Sequence, residues 1–153
     1  MRAVVQRVSN ASVSVDRENL QTVMGHIDSG VLVYLGVAQA DTVDDAKYLA
    51  EKTANLRIFM DTDQKMNLSV LDLGYQALVI SQFTLLADAR KGRRPSFSEA
   101  APNDKAYSLY DAFCDELKQK GVAVQRGVFG AIMRVSYTNE GPITILLDSK
   151  KLF

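Results

Sequence analysis

Met133-Arg134-Val135-Ser136-Tyr137 and Ile143-Thr144-Ile145-Leu146-Leu147 both read as β-strand, and between them stands Asn139-Glu140-Gly141-Pro142. Proline has no N–H to give to a sheet ladder, and glycine weakens a strand interior. The Gly-Pro step therefore either turns the chain or aims its backbone at something. Working outward from it, the chain is rich in short apolar runs of the same kind. Val4 to Val8, Ser12 to Val15 with its Ser/Val alternation, Arg57 to Met60 and Ala77 to Ile80 all read as strands. Val31-Leu32-Val33-Tyr34-Leu35 reads as a strand buried on both faces, entered from the turn Asp28-Ser29-Gly30.

Two helices interrupt this pattern. Thr42-Val43-Asp44-Asp45 has the form of a capping box, and Val43, Ala46, Ala50 and Ala54 recur at helical spacing up to about Leu56. Pro102 suits the first turn of a second helix, in which Ala106, Leu109, Phe113 and Leu117 form one apolar stripe and which Gly121 ends. The expected fold is α+β: a mostly antiparallel sheet or partial β-barrel with two main helices, in a single domain spanning 1–153.

The bulk properties narrow the function. A chain of 153 residues suits one ordinary domain. Eighteen basic and eighteen acidic residues cancel, so any attraction to nucleic acid must be local. A single cysteine excludes an intrachain disulfide, and with a single histidine it leaves no ordinary zinc ligand set. Asp61 and Asp63 lack the other oxygen ligands of a calcium loop and read as a turn, so neither a metal nor a cofactor is expected. Gln6 and Arg7 interrupt the N-terminus, and no apolar run approaches membrane-spanning length. A cytoplasmic location is expected.

Two stretches of residues could carry chemistry. The strand Ala77 to Ile80 runs into Ser81-Gln82-Phe83-Thr84, which sets two hydroxyls and an amide at a strand end, where scaffolds display functional groups. The bland alternative is that Ser81 and Thr84 only satisfy nearby backbone groups. His26 lies in the turn-like Met24-Gly25-His26 with no carboxylate beside it in sequence, so a serine-hydrolase triad is unsupported. Arg90, Lys91, Arg93 and Arg94 place four cations within five residues of a neutral protein, which suits a phosphate-bearing ligand or else a solvated loop. Cys114 and Met133 read as core residues.

Taken together, Ser81-Gln82-Phe83-Thr84-Leu85, Phe129-Gly130-Ala131-Ile132-Met133 and Asn139-Glu140-Gly141-Pro142-Ile143-Thr144 resemble the D-aminoacyl-tRNA deacylase family. The opening Met1-Arg2-Ala3-Val4-Val5-Gln6-Arg7-Val8 is similar as well, so the resemblance covers essentially the whole chain and is nearest to the bacterial homodimeric form. It implies hydrolysis of the ester joining a D-amino acid, or glycine mischarged on alanine tRNA, to the 3′-terminal adenosine of tRNA. It further implies a cis Gly141-Pro142 peptide whose carbonyls face the partner subunit's active site, supported by Arg7 and Met133. Backbone N–H groups near Phe83 and Thr84 would hold the oxyanion, with Thr84 as a positioning group and Ser81 and Gln82 shaping the adenosine end. The rival readings are a non-catalytic tRNA-binding module and a small-molecule D-amino acid esterase.

Overall fold

The computed structural model describes residues 1–17 and 20–152. In chain order it contains β1 (Arg2–Arg17), β2 (Leu20–Ile27), β3 (Gly30–Gly36), α1 (Val43–Asn55), β4 (Phe59–Met60) and β5 (Met66–Leu68). These are followed by β6 (Gln76–Ser81), a 3-10 turn (Phe83–Leu86), α2 (Asn103–Gln119), β7 (Ala123–Arg126) and β8 (Met133–Asp148). The architecture is the expected α+β, with a six-stranded, mostly antiparallel sheet nearly closed as a barrel.

β1 organises the sheet. Its first half pairs with β3 from Arg2↔Gly36 to Val8↔Gly30, and its second half with β2 from Ala11↔Ile27 onward. β8 runs antiparallel along its other edge. The parallel pairs β3·β6 and β6·β7 are each joined through a helix, as parallel neighbours require. Both helices cover one sheet face, where Ala46, Leu49, Ala50 and Ala54 of α1 and Leu109, Phe113 and Leu117 of α2 meet Val5, Val33 and Val79. Small residues on α1 allow the close approach. A second core on the opposite face gathers Val8, Val13, Ile27, Leu32, Leu78 and Ile80. β3 and β6 are thus buried on both faces, as the unbroken run Val31 to Leu35 suggests.

Several boundaries differ from the sequence reading. Val4–Val8 and Ser12–Val15 belong to one strand: the polar Ser9-Asn10 marks where β1 exchanges β3 for β2 as its partner. Met24-Gly25-His26 is no turn but part of β2, with His26 opposite Ser12. Only Phe59–Met60 of the Arg57 run is strand, paired to β5 in a separate two-stranded sheet. Val43 faces solvent, and Leu49 takes its place in the α1 stripe. The two closing runs are one strand, because β8 keeps β1 as its partner on both sides of the Gly-Pro step.

Candidate active site

β6 ends in register with β3 at Leu35↔Ser81, and Gln82 N–H donates to Leu35 O at 2.8 Å to extend the ladder by one residue. The chain then tightens into the 3-10 turn, anchored by buried Leu86. Phe83 and Thr84 open this turn and are exposed. Their N–H groups precede any intrahelical acceptor and have no hydrogen-bond partner among the described residues. Gln82 Nε2 donates to Thr84 Oγ1. Neither Ser81 nor Thr84 bonds a backbone group through its hydroxyl among the described residues, so the bland reading gains no contact here.

Beside this strand end lies a cavity of about 430 Å³. Ser81, Gln82 and Phe83 form one wall, and Phe129 to Met133, leaving β7 towards β8, form the facing one. Phe129 is packed edge-on against Tyr107, with ring centroids 5.2 Å apart, and lies 5.9 Å from the ring of Tyr110, whose hydroxyl donates to Val79 O of β6 at 2.9 Å. No ionisable side chain is among the described residues lining the cavity. Its polarity comes from Ser81, Gln82, Asn103 and backbone. Asn103, the first residue of α2, is a lining residue that carries no signal in the sequence.

The Gly141-Pro142 peptide is cis, as the family resemblance implies, and both residues are exposed. Opposite Gln6↔Thr144 and Val8↔Asn139, four residues of β8 face the single residue Arg7 of β1. The Gly-Pro step therefore sits in a large bulge, four residues against one, that interrupts the pairing without ending the strand. Arg7 is buried beneath it, donating from Nε to Glu140 O at 3.2 Å and from Nη1 to Ile58 O at 2.7 Å. Gly141 has φ 122°, and an added Cβ would stand 2.9 Å from Ile143 Cγ1 and 3.1 Å from Arg7 Nη2.

Within one chain these two features are apart. Met133 pairs with Val15 and Thr144 with Gln6, nine β1 positions away. At about 3.3 Å per residue that is on the order of 30 Å. Met133 lines the cavity with Ser81, whereas Arg7 and Glu140 line a separate recess of about 300 Å³ near Phe59 and Tyr75.

The basic segment forms a loop closed by the backbone pair Asp88 and Ser96, at 2.8 and 2.9 Å. Arg90 is bound to Asp88 through both carboxylate oxygens, at 2.7 and 2.9 Å, and these bonds hold the Asp88 carboxyl well below the usual carboxylate range. Lys91, Arg93 and Arg94 have no carboxylate partner among the described residues. Phe97 at the base of this loop packs on Phe83, with centroids 5.1 Å apart, so the loop adjoins the strand-end turn.

Other candidates fall away. His26 is exposed on β2, with Asp28 as its nearest carboxylate at 4.0 Å. Asp61 Oδ1 accepts N–H bonds from Asp63 and Lys65, which makes the segment a turn. Cys114 is buried on α2, and that burial pushes its thiol up to about 11.

Fold and site define a small α+β domain with unpartnered backbone amides and uncharged side chains gathered at a strand end. Comparison with known proteins places it more narrowly. The family model described as D-Tyr-tRNA(Tyr) deacylase matches residues 4–148. A D-aminoacyl-tRNA deacylase of Fervidobacterium nodosum is 55% identical over 153 residues, 100% of both chains. One of Roseiflexus sp. (strain RS-1) is 58% identical over 149 residues, 97% of this chain and 94% of the relative. A solved structure of the c-Myc DNA Unwinding Element Binding Protein matches with a TM-score of 0.87 at 38% identity, covering 97% of this chain and 98% of that one. The chain belongs to the D-Tyr-tRNA(Tyr) deacylase family, a family of ester hydrolases.

Proposed function

We propose that this protein hydrolyses the ester joining a D-amino acid, or glycine mischarged on alanine tRNA, to the 3′-terminal adenosine of tRNA, and that it does so as a homodimer. The observation that carries the reading is a strand-end cavity adjoining a turn whose first two N–H groups, of Phe83 and Thr84, are unpartnered among the described residues, in a chain whose relatives are named D-aminoacyl-tRNA deacylase; Phe83 lines the cavity and Thr84 follows it in the turn.

In this mechanism water adds to the ester carbonyl. The Phe83 and Thr84 N–H groups receive the oxyanion, each well-aimed donor contributing about 3 to 4 kcal/mol. Collapse returns the electron pair to the ribose 3′-oxygen, which leaves with a proton as free tRNA, and the amino acid departs. No side-chain base is among the described residues lining the cavity, and the substrate's own ribose 2′-hydroxyl orients or activates the water. Ser81 and Gln82 shape the adenosine end, and Gln82 holds Thr84 as a positioning group.

Chirality is set by exclusion. The exposed Gly141-Pro142 loop of one subunit enters the partner's site beside Thr84, its carbonyls capture the α-ammonium, and an L side chain collides with it. Arg7 supports this loop from its own subunit, whereas Met133, in the cavity wall, meets the loop of the partner. Lys91, Arg93 and Arg94 meet the tRNA backbone, with Arg90 fixing the loop that presents them. The soluble compartment in which tRNA is charged is the matching location, and no helix among the described residues is long and apolar enough to cross a membrane.

The name of the 38%-identical solved structure, together with the free cations of the loop, favours one second reading: nucleic-acid binding without hydrolysis. Incubation with D-tyrosyl-tRNA, L-tyrosyl-tRNA and a D-tyrosine alkyl ester separates the cases. Hydrolysis of the first alone is expected. Binding of all tRNA without hydrolysis would establish the second reading, and cleavage of the alkyl ester at the same rate would make the protein a small-molecule esterase.

A further inference from the structure

No residue of the bulge that carries Gly141 and Pro142 has a register partner on β1 between Asn139 and Thr144, because β1 offers only Arg7 opposite four residues. A backbone excursion of this kind needs side chains to fix it. Arg7 holds one point, Glu140 O. The far limb is tied back to the near one by the Asn139 side-chain amide. Asn139 Oδ1 accepts the Ile143 N–H at 3.0 Å, and Asn139 Nδ2 donates to Thr144 Oγ1 at 3.0 Å. Gln6 Nε2 donates to the same hydroxyl at 3.0 Å, tying the foot of the loop to β1. The Ile143 N–H can only donate, so it fixes which end of the amide is oxygen.

We infer that Asn139 is a positioning residue for substrate selection: its side-chain amide closes the Gly141-Pro142 loop upon itself and fixes the direction of the two carbonyls. The inference rests on the proposed role of that loop in capturing the α-ammonium. Chemistry selects this residue. The bridge needs an acceptor for a backbone N–H and a second group for a hydroxyl, set on a side chain short enough to reach residues four and five positions ahead. Alanine supplies neither. Aspartate keeps the acceptor, and because Gln6 continues to donate to Thr144 Oγ1, the Thr144 hydroxyl can turn its own proton to the second carboxylate oxygen.

The test uses the full-length protein with 3′-O-D-tyrosyl-adenosine, a substrate small enough for the ammonium contact to dominate its affinity. Asn139→Ala is expected to raise KM about tenfold, the worth of one lost positioning contact, and to leave kcat within about twofold. Asn139→Asp is expected to restore KM to within about threefold of the parent. Thr144→Val reproduces the alanine effect in part, and Thr144→Ser does not. A merely structural loss lowers the concentration of active enzyme and leaves KM alone, so the KM shift and its rescue by aspartate carry the result. An unchanged KM in a folded Asn139→Ala protein, or an aspartate variant no better than alanine, overturns the inference. A parent protein inactive on every D-ester instead overturns the deacylase mechanism on which it rests.

Discussion

Gly141→Ala probes the demand that the Gly141-Pro142 loop makes on the chain. At φ 122° the backbone is in a region that L residues rarely adopt, and the new Cβ would meet Ile143 Cγ1 at 2.9 Å, Arg7 Nη2 at 3.1 Å and Ile143 N at 3.2 Å. The dihedral alone costs about 1 to 3 kcal/mol, and crowding adds on the order of 1 kcal/mol or more. The Ile143 side chain can rotate away, but Arg7 cannot withdraw without releasing the carbonyls of Ile58 and Glu140. Relief is otherwise available only by moving the loop, which redirects its carbonyls. Stability and selective hydrolysis therefore cannot both survive the substitution. If the loop stays, a total near 2 to 4 kcal/mol lowers the melting midpoint by roughly 5 to 15 °C for a chain of this length. If it moves, stability is spared and hydrolysis of D-tyrosyl-tRNA falls by roughly thirtyfold or more, the kinetic equivalent of about 2 kcal/mol. Gly74→Ala is the control for an uncrowded left-handed position, since Gly74 has φ 62° with nothing within 4 Å of an added Cβ. Urea unfolding and single-turnover deacylation are measured on the same preparations. A Gly141→Ala protein no less stable than the Gly74→Ala control and fully active, with L-tyrosyl-tRNA still rejected, refutes the reasoning.

Four further outcomes follow from the same geometry. Thr84→Ala should reduce deacylation about ten- to a hundredfold without abolishing it, because only the hydroxyl bonded by Gln82 is lost and the N–H groups remain; a trapped aminoacyl ester on Thr84 would make it a nucleophile instead. Replacing Arg93 and Arg94 by alanine should weaken tRNA binding and flatten its log-log salt slope by about 1.5, whereas Arg90→Ala, which removes a cation already paired to Asp88, should change the slope less. Cys114 should resist alkylation in the folded protein at pH 8 and react once urea unfolds it, because burial holds its thiol near 11; modification at the unfolded rate without urea would contradict that placement. Asp45 is pushed up by burial but more strongly held down by Lys150, Ser149 and the Thr42 N–H, so its folded carboxyl titrates well below the usual range. Its contribution is then full above about pH 4 and lost as pH falls below that: Asp45→Asn should cost about 1 to 2 kcal/mol at pH 7, and the difference from the parent should shrink between pH 4 and pH 2 in urea melts.

The fold was legible where one local rule governed. The capping box at Thr42 and Asp45 and the stripe from Leu109 to Leu117 each correspond to a helix, since amphipathic spacing needs only one apolar neighbour to act. Strand boundaries were read less well, for a reason visible in β1. A polar pair such as Ser9-Asn10 looks like a chain reversal, yet in a long strand that serves two neighbours in succession it marks a change of partner. β2, whose burial is confined to its Gly25 and Ile27 end, has too little apolar alternation to announce itself.

The site was legible in a different way. An N–H group can be supplied by any residue but proline, so nothing in the identities of Phe83 and Thr84 reveals the two free donors; they follow from a 3-10 turn placed at the end of β6. The Gly-Pro step is visible because a bulge with φ 122° can be built only from particular residues. A backbone site thus leaves its trace through the conformation it demands, and only where that conformation is costly for ordinary residues. The same logic explains Asn139. It is half-buried and makes no contact with the cavity, and its type is dictated by the bulge it must close, not by any reacting atom. Residues of this kind are set by the shape of the loop they close, and a search restricted to nucleophiles, bases and metal ligands passes over them.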